Sequence, residues 1–166
     1  MKEKVIVSAC LLGENCKYNG GNNKNQKIID FLLDKEVVPV CPEVMGGMST
    51  PRLKSEIDFN NKNKVINEHK EDVSEFFIKG ANKALEKVYN SDAKIAIVKE
   101  KSPSCGKNKI YNGKFDGTII DGSGMFTRLL KENGIKVLTE EDFLWCEIQV
   151  WNKTKTNLSF LFAFVF

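Results

Sequence analysis

The chain is short of several residue types that common chemistries need. It has one histidine and two arginines in 166 residues, and no two of its five cysteines are at CxxC spacing. The histidine, His69, lies in the polar stretch Asn67-Glu68-His69-Lys70. A solvated position is expected for it, and no histidine-based triad is available. Most structural zinc sites draw ligands in close CxxC pairs, and none exists here. No apolar run reaches 18 residues, so no membrane-spanning helix is expected. There is neither a Walker P-loop nor a GxGxxG fingerprint; Asp121-Gly122-Ser123-Gly124 reads as a turn and a helix cap. Twenty-five basic and 22 acidic residues give a net charge of +3. The balance is too weak and too scattered for a nucleic-acid-binding protein. Residues Met1 to Val7 enter a strand-like run with neither an h-region nor a cleavage site, so a cytoplasmic location is expected. No internal repeat is visible.

What is present fits a soluble domain of ordinary size. Hydrophobic residues make up 42% and charged residues 28%. A chain of this length buries roughly 70% of its extended surface and needs no disulfide to hold it. Cysteines in such a chain read as metal or catalytic thiols.

Residues 4–9, Lys-Val-Ile-Val-Ser-Ala, read as a buried strand. A Gly/Asn-rich loop follows to Asn23. Ile28, Ile29, Leu32 and Leu33 predict a helix over 24–35, capped by Asn22 or Asn23. Residues 37–40 predict a second strand, placed near an edge by Pro39. Residues 60–71 read as a polar surface excursion. Asp72 predicts the cap of a helix over 73–90, with Val73, Phe76, Phe77, Ala81, Ala84, Leu85 and Val88 on its apolar side and Gly80 weakening it. Residues 93–98 predict a third strand. Asn112-Gly113, between Ile110-Tyr111 and Lys114-Phe115, signals a hairpin. A helix over 124–133 closed by Gly134, and a strand over 135–138, complete the pattern. The fold class expected is α/β: a mostly parallel, Rossmann-like sheet with flanking helices and a site at the carboxyl ends of the strands. Residues 1–143 read as this domain and residues 144–166 as an atypical tail, in which Phe160, Phe162, Phe164 and Phe166 alternate as on one face of a strand.

The cysteines take their meaning from this pattern. Cys10 directly follows the first strand and Cys41 the second, and Cys105 lies across a short loop from the third. In a parallel sheet all three loops open on one edge, so the three thiols converge. Clustered thiolates repel one another unless a cation neutralises them. Thiolates suit zinc, copper(I) and iron–sulfur clusters. A cluster accepts ligands from distant loops, and three cysteines leave one iron open for substrate; zinc stays open as an alternative. Cys16, in the same loop as Cys10, reads as a fourth ligand or a spare thiol and ranks below the other three. Cys146 lies in the tail.

With these residues in view, the chain resembles the bacterial thiouracil desulfidase family. The matching segments are Ser8-Ala9-Cys10-Leu11-Leu12-Gly13, Lys17-Tyr18-Asn19-Gly20, Cys41-Pro42-Glu43-Val44-Met45-Gly46-Gly47, Pro51-Arg52, Ser102-Pro103-Ser104-Cys105-Gly106 and Ile110-Tyr111-Asn112-Gly113. The resemblance spans about residues 4–142. It implies a [4Fe-4S] cluster on Cys10, Cys41 and Cys105, and a small thiolated nucleobase such as 2-thiouracil as substrate. The implied chemistry is hydrolytic: an iron polarises the carbon–sulfur bond, water attacks the ring carbon, and sulfur leaves as hydrosulfide without net redox change. The family commonly has aspartate where this chain has Asn19 and Asn112.

Within that frame Glu43, two residues past Cys41, is expected to carry the proton. Pairing with Arg52 or capping a turn is its structural alternative. Ser102 and Ser104 are expected to hydrogen-bond the ring edges, with an ordinary turn around Pro103 as the alternative. Gly46-Gly47 and Gly106 offer backbone N–H groups and close approach to substrate. Two readings of other classes compete: a non-catalytic zinc or iron–sulfur sensing module, and a thiol oxidoreductase using Cys10 and Cys16. The latter requires their sulfurs in contact and a depressed thiol pKa. The sequence leaves the oligomeric state open.

Overall fold

The computed structural model describes residues 2–143. The reading of residues 144–166 as a tail, and Cys146 with it, lies outside the described residues. In chain order the elements are β1 (Lys4–Ser8), α1 (Gln26–Phe31), β2 (Glu36–Val40), α2 (Pro42–Met45), β3 (Ser55–Ile57), β4 (Val65–Asn67), α3 (Ser74–Ser91), β5 (Ile95–Val98), β6 (Lys109–Tyr111), β7 (Ile119–Asp121), α4 (Met125–Glu132) and β8 (Lys136–Thr139), with a 3-10 turn at Ala9–Leu12. No helix among the described residues is long and apolar enough to cross a membrane.

The expected α/β architecture is present. Four parallel strands lie in the order β2-β1-β5-β8. β1 pairs with β2 on one side (Ile6 opposite Val38) and with β5 on the other (Ile6 opposite Ala96), and β5 pairs with β8. The alternation of a strand sends side chains to both faces. Ile6, Val40, Ala96, Val98 and Val137 meet Ala81, Ala84 and Val88 of α3 and Phe126 and Leu130 of α4. Val5, Val7 and Ile97 meet Leu11, Ile28 and Leu32 on the opposite face. The sheet is therefore the middle of three layers, which is why Val5, Ile6 and Val7 of β1 are apolar in succession and do not alternate. β2 is an edge strand, as Pro39 required.

Four local expectations need correction. The first helix covers Gln26–Phe31, with Asn25 as its cap through Ile28 N–H at 3.3 Å, and Leu33 is 77% exposed beyond its end. Residues 60–71 are not wholly a surface excursion. They contain β4, antiparallel to β3, whose Val65 packs with Ile57, Phe77 and Ile110 in a third small core. Phe76 is 43% exposed and lies off the buried side of α3. Asn112-Gly113 does not make a two-residue hairpin turn: the partner of β6 is β7, after a loop over residues 112–118. The buried Glu56 carboxylate takes the N–H groups of Gly113 and Phe115 at 3.0 and 3.1 Å, which fixes the wider loop.

Gly80 has a role that helix propensity does not capture. An added Cβ on it would lie 1.8 Å from the Pro42 carbonyl oxygen, and one on Gly46 would lie 2.0 Å from the Phe76 carbonyl oxygen. At these two glycines α2 and α3 cross with their backbones in contact.

Candidate active site

Strand order reverses about β1, with β2 on one side and β5 on the other, and ligand sites of open α/β sheets form at such a switch point. The loops leaving β1, β2 and β5 meet over the carboxyl ends of these strands and enclose a cavity of about 330 Å³. Cys10, Cys41 and Cys105 all line it, as the sheet geometry required. All four described cysteines are free, and Cys16 lines the cavity with the other three.

Each loop is held in its own way. Cys41 starts α2, with Pro42 at the first helical position, where a missing N–H costs nothing. The loop bearing Cys105 rests on the start of α4. That helix has no side-chain cap, and its first N–H groups are taken by the loop instead: Met125 donates to Pro103 O and Phe126 to Ser104 O, both at 2.9 Å. Thr127 Oγ1 donates to the Cys105 carbonyl at 2.6 Å. Glu100, 2% exposed, accepts the N–H groups of Lys107, Asn108 and Lys109 on one oxygen at 2.8, 3.0 and 3.0 Å. A single carboxylate thus closes the loop from both ends. A buried acid just past a strand end was the only sequence signal for this role.

The thiols form one network. The Cys16 thiol lies beside those of Cys10 and Cys41. That contact is the main cause lowering Cys10 to about 7 and also lowers Cys41, while sharing its proton with both raises Cys16. Complete burial raises Cys105. Contact and a lowered thiol are what the oxidoreductase reading required of Cys10 and Cys16. Cys16 also reaches Cys41, however, so the pair belongs to a larger group and is not a separate dithiol. Among the described residues no three His, Cys, Asp or Glu side chains close on a point small enough for a single metal ion. Soft donors spread along one cavity wall fit a polynuclear cluster better than one zinc ion.

Glu43 lines the cavity and is fully engaged. Arg52 Nε and Nη2 both reach Glu43 Oε2, at 2.7 and 2.6 Å, and Ser104 Oγ donates to Oε1 at 3.1 Å. The Arg52 side chain is 6% exposed, and its remaining donors go to Ser49 O, Thr50 Oγ1 and, at 2.9 Å, Cys16 O. The pairing of Glu43 with Arg52 is thus real, and it orients the carboxylate in the cavity. Ser104 stands behind Glu43 and off the cavity wall, which corrects its expected place at the ring edge. Ser102 lines the cavity while its Oγ accepts the N–H groups of Ser104 and Cys105, both at 3.1 Å, so it serves the turn as well. Gly46 is turned away: it packs on α3 and does not line the cavity.

Sequence reading passed over Lys54, Lys99 and Tyr111, which also line the cavity. Lys54 Nζ is 2.9 Å from Glu56 and 4.6 Å above the Tyr111 ring. Lys99 pairs with Glu140.

Residues 5–142 match the sequence profile of a family described as 2-thiouracil desulfurase. The uncharacterized protein YbbK of Bacillus subtilis is 41% identical over 145 residues, spanning 83% of this chain and 96% of its own. A solved structure of the [4Fe-4S]-dependent thiouracil desulfidase TudS superposes with a TM-score of 0.80 at 38% identity, covering 90% of this chain and 98% of that one. The chain belongs to the 2-thiouracil desulfurase family.

Proposed function

We infer that this protein is an iron–sulfur-dependent desulfidase that converts a thiolated pyrimidine such as 2-thiouracil into its oxo form by hydrolysis. The observation that carries the reading is the convergence of Cys10, Cys41 and Cys105 beside an oriented Glu43, in one cavity over three adjacent strand ends. The kinship with a desulfidase favours catalysis over a sensing module. Cys10, Cys41 and Cys105 would hold a [4Fe-4S] cluster, which when bound supplies a Lewis-acidic iron for the thiocarbonyl sulfur.

The remaining work falls to the chain. Water adds to the ring carbon, the carbon–sulfur bond breaks, and the sulfur departs with the protons as hydrogen sulfide or hydrosulfide; electrons balance without an external donor. Glu43 Oε1, the oxygen not held by Arg52, takes the proton of the attacking water and returns it to the departing sulfur. Ser104 and Arg52 fix the carboxylate, so it reorganises little as charge develops. Tyr111 and the Ser102 hydroxyl are the flat and polar surfaces offered to the ring.

The test is hydrosulfide release from 2-thiouracil by anaerobically reconstituted protein. The inference requires about four irons per chain, one hydrosulfide per uracil formed, and loss of iron in Cys10→Ala, Cys41→Ala and Cys105→Ala. One zinc per chain, or iron retained by all three variants, overturns it. Glu43→Gln should keep the iron and lose about 10²–10⁴ in rate, the span of a general acid–base group.

A further inference from the structure

Among the side chains that line the cavity, Lys54 is held in place without being used up. Its backbone is tied to the residue after β4, donating to Glu68 Oε1 at 3.2 Å and accepting the Glu68 N–H at 2.9 Å. Its ammonium lies 2.9 Å from Glu56 Oε1 and 4.6 Å above the Tyr111 ring. Glu56 cannot follow a moving lysine, because its side chain is wholly buried and its other oxygen holds the Gly113 and Phe115 N–H groups. Arg52, two residues back on the same wall, spends its donors on Glu43, Ser49, Thr50 and Cys16. An ammonium has three donors, and among the described residues Lys54 Nζ meets no oxygen other than that of Glu56. What it offers a ligand is direction more than charge, since the Glu56 carboxylate balances it. A neutral acceptor matches such a donor better than a phosphate does. A flat ring offset on Tyr111 presents its edge to the ammonium, and the acceptors on a pyrimidine edge are its exocyclic oxygens.

We propose that Lys54 is a specificity residue of the site: it donates a hydrogen bond to the ring carbonyl that stands one nitrogen away from the thiocarbonyl. The proposal rests on the desulfidase reading above and narrows its substrate class. Thiopyrimidines that keep this carbonyl, 2-thiouracil among them, are selected, and pyrimidine-2-thione, which lacks it, is discriminated against. The Lys54 side chain is 30% exposed, so water partly replaces a missing acceptor. The discrimination is therefore that of one charge-assisted hydrogen bond, about 10- to 100-fold.

The experiment measures kcat/KM for hydrosulfide release from 2-thiouracil and from pyrimidine-2-thione by anaerobically loaded full-length protein. The ratio of the two constants is compared between variants, which cancels the intrinsic reactivity of each ring. Lys54→Met should shrink the ratio by about 10- to 100-fold. That variant strands the Glu56 carboxylate, so the double variant Lys54→Met with Glu56→Gln, which keeps an acceptor for Gly113 and Phe115, accompanies it and should shrink the ratio equally. Lys17→Met removes another cation from the cavity wall and should leave the ratio as in wild type. The products, uracil and pyrimidin-2-one, differ in the same oxygen, and their dissociation constants by calorimetry should draw together in the Lys54 variants. A ratio unchanged in both Lys54 variants, or shrunk as far by Lys17→Met, overturns the proposal and leaves the desulfidase reading standing. A wild type that releases hydrosulfide from neither compound overturns both.

Discussion

The crossing of α2 and α3 makes Gly80→Ala an informative perturbation. Alanine is the better helix former by about 1 kcal/mol, so propensity alone predicts a more stable protein. The packing predicts the reverse. The new methyl would lie 1.8 Å from Pro42 O, 2.7 Å from Pro42 C and 3.0 Å from Gly46 N. All three are backbone atoms and cannot swing aside. Restoring an ordinary carbon–oxygen contact requires α2 to move by about 1.5 Å. Overpacking of this kind costs about 1–3 kcal/mol, and the backbone clash puts this site at the upper end, so a net destabilisation of up to about 2 kcal/mol is expected after the propensity gain. The displaced element carries Cys41 at its start and Glu43 in its first turn. A misplacement near 1 Å can cost about 10²-fold in rate. Urea unfolding measures the stability, and hydrosulfide release by the loaded variant measures the site. Asn82→Ala, exposed on the same helix, is the control and should stabilise or change nothing. A Gly80→Ala protein as stable as wild type, with undiminished rate, would refute the close-crossing argument.

Three further outcomes are expected. Arg52→Lys should behave nearly as badly as Arg52→Ala, because an ammonium cannot reach Glu43, Ser49, Thr50 and Cys16 together. Loss of the buried pair should lower stability by about 3 kcal/mol, measured in urea, and reduce kcat more than it raises KM. Glu100→Ala strands three backbone N–H groups, so at least about 2 kcal/mol should be lost, and iron retention, read colorimetrically after gel filtration, should fall as the Cys105 loop loosens. Glu56 holds Lys54 above its ordinary value near 10.5. A raised lysine pKa stabilises fully below the unfolded value and loses that stabilisation as pH rises through the folded one. The gap in urea midpoint between wild type and Lys54→Met should therefore be constant near neutrality and shrink above about pH 10.5.

The sheet and the three strand-end cysteines were legible because apolar runs between loops are a strong signal, and a parallel sheet puts successive loop ends on one edge. The β3–β4 hairpin was not, because its strands have three residues each and the flanking Asn and Lys residues dilute the pattern. The Asn112-Gly113 turn misled because a carboxylate 57 residues away takes the Gly113 N–H. Gly46 and Gly80 looked like a substrate contact and a helix defect. Two glycines 34 positions apart become one crossing only in three dimensions, and no local rule joins them. Cys16 ranked low for having no strand of its own, yet the loop after β1 folds back and returns it to the site.

The position of β2 at the sheet edge has a consequence for how the site breathes. Cys10 and Cys105 follow strands with a partner on each side, whereas Cys41 follows a strand with one partner and a proline in it. Opening begins where the fewest bonds must break. On the proposed reading of Cys10, Cys41 and Cys105 as ligands, two of the three arms would be fixed and one hinged, and the amide hydrogens of β2 should exchange before those of β1 and β5. Such an arrangement would let incoming iron be held at two points before the third arm closes, and be released in the opposite order.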